Sequence, residues 1–519
     1  MQVTQDNGEE AQAPWADMAE THSAVVYFAG DRAFKLKKPV NLGFLDFSTP
    51  QARAAACARE IELNRRYSPD VYLGVAEVRD PAGQPCDHLV VMRRMPSSRR
   101  LSTLITAGAP AVEPLRQVAR ILAAQHASAP RSAQISEQGG RDALRRRWED
   151  NIDQARPVCD RILDAEIVAE TERLAGQFLA GREPLFETRI SAGHIVDGHG
   201  DLLADDIYCL ADGPRILDCL DFDDRLRWLD GLDDAAFLAM DLERLGATDL
   251  ARQFSDWYIE YSNDQAPMSL RHHYIAYRAF VRAKVACIQA AQRDPAAAGE
   301  ARRLAEIALR HLRAGRVTLV LIGGPPGTGK SSLAEAAADR LGCTVLNSDR
   351  IRKELAGLPL ERGPAVPYGT GIYTPEWTQR CYAELLHRAR LLLAGGESVI
   401  ADASWTSAGQ RAAAATMAGD VSAQLVQLRC SAAEDLALRR MSARQQGPSD
   451  ADQAIARQMA AAMDPWPAAT TIDTGSGGLA AEPGAPAAFC GLIQQALDEI
   501  RPHGHEHVWR PSRPVMLPD

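Results

Sequence analysis

The segment 316–341 constrains the fold more than any other part of the chain. An apolar stretch at 317–322 runs directly into GPPGTGKS at 324–331, and a helical pattern follows. This is the pattern G-x-x-x-x-G-K-[ST], placed between a strand and a helix as that motif requires. Glycines let backbone N–H groups point inward, and the N-terminus of the following helix adds a positive dipole end. The segment therefore predicts a buried strand and a loop that binds phosphate groups.

Two side chains of this loop have separate expected roles. Lys330 reaches the β- and γ-phosphates of a nucleotide, and the hydroxyl of Ser331 is a ligand for Mg²⁺. We therefore expect ATP and Mg²⁺ as cofactors, and the alternative is a glycine loop with a purely structural role. The residues expected to hold the nucleotide are Gly324, Gly327, Thr328, Gly329, Lys330, Ser331 and Ser332.

Short apolar strands alternate with helices after this loop. That alternation predicts a parallel sheet with crossover helices. Because ligands of open α/β sheets bind beyond the carboxyl ends of the strands, polar residues at those ends are expected to face one crevice. The predicted strands are 344–347, 398–401, 424–429 and 470–473.

Two aspartates follow strands of this predicted sheet. Asp349 lies where one strand ends and a helix begins, and Asp402 ends a later strand. We predict that Asp349 accepts the proton of a substrate hydroxyl and that Asp402 orients Mg²⁺ or its water ligands. The alternative for Asp349 is that it only favours a helix N-terminus through the helix dipole.

Two arginines farther along have spacing typical of a helix face. Arg440 and Arg444 are four residues apart and therefore lie on the same side of a predicted helix. Such a segment is expected to fold over the nucleotide phosphates and neutralise developing charge. The alternative is a solvated helix face.

These segments together resemble the small P-loop kinases, which include gluconate kinase, polynucleotide kinase and zeta-toxin-like proteins. The similarity covers 316–475. It implies that Asp349, in the segment SDRIR, lies beside the acceptor hydroxyl and that an arginine-bearing lid closes on the nucleotide. The acceptor region is expected to include 360–377, where Tyr368, Tyr373 and Thr374 stand out. For Thr374 we favour a structural role as the cap of a helix.

A second motif, HGDL at 199–202, is followed by an apolar strand that ends at Asp218. These residues resemble the aminoglycoside phosphotransferase and protein-kinase-like family. The resemblance implies that Asp201 lies beside an acceptor hydroxyl as the candidate base. It also implies that Asp218 is a ligand of Mg²⁺, with Asp221 and Asp223 as alternatives.

The N-terminal part is similar to the same family. Residues 24–28 and 33–36 are predicted to form a hairpin around a glycine-containing turn. The second strand is expected to bear the phosphate-binding lysine, for which Lys35 is the first choice and Lys37 the second. Glu60, in a predicted helix, is expected to form an ion pair with that lysine.

Two features depart from the family pattern. Asp206 stands where the family has a metal-binding asparagine, and an aspartate there can still bind Mg²⁺. Gly30 is the only glycine between the first two predicted strands, where a glycine-rich phosphate loop is expected. The alternative interpretation of the dense aspartates at 201–224 is a solvated acidic loop.

Composition and sequence pattern also bear on nucleic acid binding, membrane association and cellular location. The net charge of −10 disfavours a duplex nucleic acid binder, which needs a basic face. The first 20 residues lack the features of a signal peptide, and the longest apolar run, at 317–322, is too short to span a membrane. The ten cysteines include no C-x-x-C pair, which is typical of free thiols in a reducing compartment. We therefore expect a cytoplasmic protein with no membrane partner.

The whole chain resembles the bacterial bifunctional aminoglycoside phosphotransferase/ATP-binding proteins. The implied fold is an α+β bilobal kinase-like domain followed by an α/β P-loop NTPase domain with a parallel sheet. The predicted boundaries are a flexible tail at 1–20, a kinase-like N-lobe at 21–95, a helical C-lobe at 96–314, a P-loop kinase domain at 315–500 and an irregular tail at 501–519.

The leading functional hypothesis is an ATP- and Mg²⁺-dependent phosphotransferase that acts on a hydroxyl of a small molecule in the P-loop domain. One alternative has a second active phosphotransferase site in the kinase-like half. Another is a P-loop ATPase regulated by a degenerate kinase-like half. A third is a kinase acting on a nucleic acid 5′-hydroxyl.

Overall fold

The structure, a computed structural model, describes residues 15–21, 23–41, 46–159, 161–292, 295–360, 369–443, 453–475, 494–498 and 500. Contacts divide the chain into two compact units. The first combines Met1–Ala143 with Arg189–Gln265, and the second combines Leu144–Thr188 with Ala266–Asp519. None of the described helices has both the length and the apolar character that crossing a membrane requires.

Both units contain strands and helices, numbered here along the chain. The strands are β1 (Ala16–Glu20), β2 (Ala24–Ala29), β3 (Arg32–Lys37), β4 (Tyr72–Arg79), β5 (Pro85–Arg93), β6 (Ile195–Asp197), β7 (Ile207–Leu210), β8 (Gly213–Ile216), β9 (Trp228–Asp230), β10 (Thr318–Gly323), β11 (Thr344–Asn347), β12 (Val399–Asp402), β13 (Gln424–Ser431) and β14 (Thr470–Asp473). The α-helices are α1 (Pro50–Asn64), α2 (Leu101–Thr106), α3 (Val112–Ser128), α4 (Ala133–Gln138), α5 (Arg141–Cys159), α6 (Ala165–Ala180), α7 (Glu183–Ser191), α8 (Gly231–Arg244), α9 (Thr248–Ser262), α10 (Met268–Ala291), α11 (Pro295–Ala314), α12 (Lys330–Leu341), α13 (Ser348–Ala356), α14 (Pro375–Ala394), α15 (Ala408–Asp420), α16 (Glu434–Ala443) and α17 (Gln453–Ala461).

The first unit begins with a five-stranded antiparallel sheet in the order β1-β2-β3-β5-β4. The predicted hairpin is confirmed as β2 and β3, and Gly30 turns the chain between them with a φ of 57°, a value that favours glycine. Residues 16–20, which the sequence analysis placed in a tail, form β1 against β2. All five residues of β1 are exposed, so the strand leaves no alternating apolar pattern by which the sequence could reveal it.

Helix α1 packs on this sheet and positions Glu60. Thr49 caps the helix, because its side chain accepts a hydrogen bond from the backbone N–H of Ala52. Cys57 and Ile61 share a buried cluster with residues of β4 and β5. Glu60 lies between them on the buried side of the helix and is only 1% exposed.

The rest of the first unit is mainly helical. Helix α3 packs on α9, and α9 packs on α8. Two short antiparallel strand pairs lie near the HGDL motif in the sequence: β6 and its partner β9 lie on either side of the motif, and β7 and its partner β8 follow it. An antiparallel sheet bearing a lysine, a helix bearing its glutamate and a helical portion bearing the aspartates form the kinase-like α+β fold that the sequence predicts.

The second unit contains a five-stranded sheet in the order β11-β12-β10-β13-β14, and every neighbouring pair is parallel. All six residues of β10 are buried, as expected for a central parallel strand covered on both faces. The four strands predicted after the P-loop are confirmed as β11 to β14. The α/β P-loop fold with a parallel sheet is therefore confirmed.

Helices before the P-loop also belong to the second unit. The Ser269 hydroxyl on α10 donates to the Gly396 carbonyl over 2.6 Å, and Arg182 donates to the Val421 carbonyl over 2.9 Å. The contact-based division thus counts the helices of 144–188 and 266–314 with the P-loop sheet, whereas the sequence analysis counted them with the kinase-like lobe. The domain boundaries stay a prediction, and the tail predicted at 501–519 lies outside the described residues.

Candidate active sites

The P-loop connects β10 to α12 and depends on glycine at several positions. Gly324, Gly327 and Gly329 have φ values of 130°, 83° and 80°. A Cβ on Gly327 would also lie 2.5 Å from the carbonyl oxygen of Ala437 on α16. The backbone conformation and the close approach of α16 therefore both require glycine at 327.

Side chains also stabilise the loop. The Thr328 hydroxyl donates to the Pro325 carbonyl over 2.8 Å, and Lys330 Nζ donates to the same oxygen over 3.1 Å. Thr474, which directly follows β14, donates its hydroxyl to the Thr328 carbonyl over 2.8 Å. No sequence pattern indicated Thr474, because its role depends on the sheet bringing the end of β14 beside the loop.

A cavity of about 320 Å³ brings most of the predicted residues together. The predicted residues that line it are Gly327, Gly329, Lys330, Ser331, Ser332, Asp349 and Asp402. Gly324 and Thr328 are not among the lining residues, and Thr328 is 4% exposed. The loop, the first turn of α13 and the end of β12 therefore meet at one site, as the position of strand ends in a parallel sheet predicts.

Sheet register explains why Asp402 lies in this cavity. Asp402 aligns with Ile322 on one side and with Asn347 on the other. The amide of Asn347 donates to Asp402 Oδ2 over 2.7 Å, and its oxygen caps α13 through the N–H of Arg350. Asn347 thus orients the carboxylate and begins the helix that carries Asp349, a double role that the sequence analysis missed.

Arg352 and Tyr373 line the same cavity. Arg352 on α13 is 6% exposed, donates to the Ile372 carbonyl over 2.8 Å and lies 4.9 Å from the centre of the Tyr373 ring. Tyr373 belongs to the acceptor region that the sequence predicts, whereas Tyr368 of that region lies outside the described residues. Thr374 is confirmed as the N-cap of α14, since its hydroxyl accepts from the N–H of Trp377.

The predicted arginine pair is placed differently from the P-loop residues. Arg440 on α16 donates to the Thr474 carbonyl over 2.8 Å and does not line the cavity. Arg444 lies outside the described residues. Ile455 and Met459 of α17 do line the cavity, so this later helix closes part of its wall.

The first unit holds the predicted lysine–glutamate pair. Lys35 Nζ lies 2.9 Å from Glu60 Oε1 and 2.7 Å from Asp218 Oδ1. Burial alone would lower the pKa of Lys35, but the carboxylates of Asp218 and Glu60 raise it well above its usual range. Lys35 also lowers the pKa of Asp218. The structure therefore brings Lys35, Glu60 and Asp218 together.

Lys37, the second choice of the sequence analysis, forms a parallel set of contacts. Its Nζ lies 2.8 Å from Glu60 Oε2 and 2.6 Å from Asp221 Oδ2. Lys37 is 4% exposed and Glu60 1% exposed. One buried carboxylate is thus shared by two lysines, which the sequence alone does not indicate. Asp223 instead caps a short turn through the N–H of Arg225.

Asp234 holds the HGDL segment in position. Its two oxygens accept from the backbone N–H groups of His199 and Gly200, over 2.6 and 2.9 Å. His126 Nε2 lies 3.0 Å from the same carboxylate. Burial alone would raise the pKa of Asp234, but the contact with His126 lowers it. This buried aspartate, missed by the sequence analysis, fixes the loop that carries Asp201.

Asp201, Asp206 and Asp218 lie close enough to influence one another. Burial raises the pKa of Asp206 well above its usual range, and the charges of Asp218 and Asp201 raise it further. Among the described residues, no group of three or more His, Cys, Asp or Glu side chains is arranged to hold a metal ion by itself. A cation at these aspartates would therefore need further ligands, such as phosphate oxygens or water.

With these two sites, the chain belongs to the class of proteins that combine a kinase-like unit with a P-loop nucleotide-binding domain. Residues 319–466 match the family model described as an AAA domain. The chain is 45% identical over 461 residues to the uncharacterized proteins Rv2004c of Mycobacterium tuberculosis H37Rv and Mb2027c of Mycobacterium bovis. These matches cover 89% of this chain and 93% of each relative. The chain belongs to the same family as these mycobacterial proteins.

Solved structures also show partial similarity. A choline/ethanolamine kinase family protein from Mesorhizobium loti is 18% identical, with a TM-score of 0.36, over 59% of this chain and 92% of that chain. A gluconokinase from Sinorhizobium meliloti 1021 is 19% identical, with a TM-score of 0.25, over 35% of this chain and 91% of that chain. Neither likeness assigns an activity to this chain.

Proposed function

We propose that the chain is an ATP- and Mg²⁺-dependent phosphotransferase that transfers the γ-phosphate to a hydroxyl of a small molecule in the P-loop domain. One observation supports this most directly: Lys330 and Ser331 line the same cavity as Asp349 and Asp402. A phosphate-binding loop and a carboxylate that can take a proton therefore face a shared space, as phosphoryl transfer requires.

The residues of this cavity fit a magnesium nucleotide. The hydroxyl of Ser331 and the carboxylate of Asp402 are hard oxygen donors of the kind that Mg²⁺ prefers. Bound Mg²⁺ would neutralise charge on the phosphate oxygens. Asn347 keeps Asp402 oriented towards this role through its 2.7 Å hydrogen bond.

The chain's own groups then have defined tasks. Lys330 holds the terminal phosphates, and Asp349 receives the proton as the acceptor oxygen bonds to the γ-phosphorus. The bond between that phosphorus and the bridging oxygen breaks at the same time, and ADP leaves. Arg352 and Tyr373 would position the acceptor, since both line the cavity.

The test is transfer of labelled phosphate from ATP to a panel of sugars, aminoglycosides and oligonucleotides. Lys330→Ala is expected to abolish transfer, because the γ-phosphate loses its main cation. Arg340→Ala, which removes an exposed positive charge from the same helix, is the matched control and should retain activity. Transfer to every acceptor at the wild-type rate in Lys330→Ala would refute the proposal, and transfer to oligonucleotides alone would identify a nucleic acid kinase.

A second phosphotransferase site in the kinase-like unit is supported by a specific observation. Lys35 contacts both Glu60 and Asp218, so the groups that a kinase-like site needs are already assembled. If this site is active, Asp201→Asn should abolish transfer to one acceptor while Lys330→Ala abolishes transfer to another. Unchanged transfer to every acceptor in Asp201→Asn would leave this unit without catalytic activity.

We also propose a cytoplasmic location. The support is that the nine cysteines among the described residues are all free thiols, and most of them are buried. Such thiols are typical of a reducing compartment. Fractionation of cells that express the chain would test this location.

A further inference from the structure

The second unit contains another, smaller cavity, of about 20 Å³. It lies where α6, α10 and α11 meet the residues that lead into β10 and β13. Its lining includes Arg182, His273 and Arg316, and none of the lining residues, all in the described part of the chain, is acidic. It shares no residue with the P-loop cavity.

Arg182 brings a buried positive charge to this cavity. It is 1% exposed, and its Nη1 donates to the carbonyls of Gly181 and Val421 over 2.8 and 2.9 Å. Its Nε is buried and has no hydrogen-bond partner. Burial lowers the pKa of Arg182 to about 10, and no carboxylate offsets that effect. A buried guanidinium without a counter-charge is costly unless an anion accompanies it.

His273 brings a neutral donor. Its Nε2 accepts from Trp148 Nε1 over 3.1 Å, and an indole N–H can only donate. The proton of the neutral ring is therefore on Nδ1, which is buried and has no hydrogen-bond partner. Burial lowers the pKa of His273 to about 3, so the ring is neutral at physiological pH. The ring stacks on Phe178 at 4.3 Å, which fixes its orientation.

Arg316 brings the third donor. Its Nη1 donates to Gln424 Oε1 over 3.1 Å, and Glu170 lies 3.7 Å from its Nη2. The Nε of Arg316 is buried and has no hydrogen-bond partner. The Nε of Arg182 and the Nδ1 of His273 are in the same situation. Two guanidinium groups and one imidazole among the residues lining one cavity thus each have a buried N–H donor without a hydrogen-bond partner. Such donors are rarely left unpaired in folded proteins.

We propose that this cavity binds a small inorganic anion of halide size, chloride in the cell, held by Arg182, His273 and Arg316. A space of about 20 Å³ accepts one water-sized particle. A bound halide would accept hydrogen bonds from the three donors and balance the charge between the helices and the P-loop sheet.

The test uses the full chain and two measurements. Crystals grown with bromide in place of chloride should show an anomalous peak in the cavity. Thermal unfolding should shift upward by about 2–4 °C when chloride replaces gluconate at constant ionic strength and exceeds its dissociation constant about tenfold. The same shift is expected in Lys330→Ala, because the P-loop is a separate anion site.

Matched variants separate this site from a general salt effect. Arg316→Met should lose the chloride-dependent shift, whereas Arg313→Met, which removes the same charge nearby without lining the cavity, should keep it. A water molecule in place of the bromide peak would overturn the proposal. An equal shift in Arg316→Met and Arg313→Met would also overturn it. If Arg316→Met does not fold, the bromide result alone decides.

Discussion

Glu60 serves two lysines because of how a strand arranges its side chains. Lys35 and Lys37 are two residues apart on β3 and therefore project from the same face of the sheet. Each lysine contacts one oxygen of the Glu60 carboxylate. Burial alone would raise the pKa of Glu60, but the two ammonium groups lower it. The pair of lysines therefore keeps a buried glutamate ionised.

Lys37→Met is expected to destabilise the first unit by about 3–5 kcal/mol, because Glu60 and Asp221 would keep buried charges with one cation fewer. Urea unfolding would measure the loss. Lys38→Met is the control, since Lys38 pairs with the exposed Glu20 and should leave the free energy of unfolding close to that of wild type. Equal effects of the two substitutions would contradict the buried ion pair.

Asp206→Asn is expected to stabilise the protein at neutral pH and to raise its melting temperature by a few degrees. The folded state raises the pKa of Asp206 above its unfolded value, so its protonated form favours folding. That contribution is full below the unfolded pKa and is lost as pH rises through the folded pKa. The advantage of Asp206→Asn should therefore shrink on acidification, and an advantage that grows at low pH would disprove the assignment. Melting curves from pH 4 to 8 would show it.

At the scale of elements, the P-loop and α16 approach each other closely at Gly327. Gly327→Ala is expected to weaken ATP binding at least about tenfold, because the new methyl would meet the Ala437 carbonyl at 2.5 Å. Gly357→Ala has a similar positive φ of 65° but open space around it, so it controls for backbone strain alone. Isothermal titration with ATP would compare them. Similar affinities in both variants would argue against the contact with α16.

The sequence predicted the P-loop and its sheet because that information is local. A buried strand, a glycine loop and a helix follow one another, and each later strand is a short apolar run. Asn347 and Thr474 were missed because their roles depend on which strands lie side by side. Asn347 meets Asp402 only because β11 pairs with β12, and Thr474 meets the loop only because β14 pairs with β13.

The kinase-like element shows a similar limit. Lys35 and Glu60 were predicted through the resemblance to the kinase-like family, in which a lysine on an early strand pairs with a glutamate on a helix. It left Lys37 and Asp221 as alternatives to Lys35 and Asp218. The structure instead gives each of the four residues an ion-pair partner. No sequence pattern indicates that one glutamate can satisfy both lysines.

At the scale of the whole molecule, two units with separate candidate sites belong to one chain. The mycobacterial relatives match over 89% of it, so the family spans both units rather than the P-loop domain alone. The helices of 144–188 and 266–314 count with the P-loop sheet although the first unit interrupts them in sequence. Neither unit is therefore a single continuous segment of the chain.

The proposed function requires that one cavity both binds the nucleotide and activates the acceptor. Its most direct test compares ATP affinity with phosphate transfer in Asp349→Asn, using Asp339→Asn, an exposed aspartate on α12, as the control. We expect ATP affinity within about twofold of wild type and a loss of transfer of at least about 100-fold in Asp349→Asn alone. Wild-type transfer in Asp349→Asn, with ATP still bound, would contradict it.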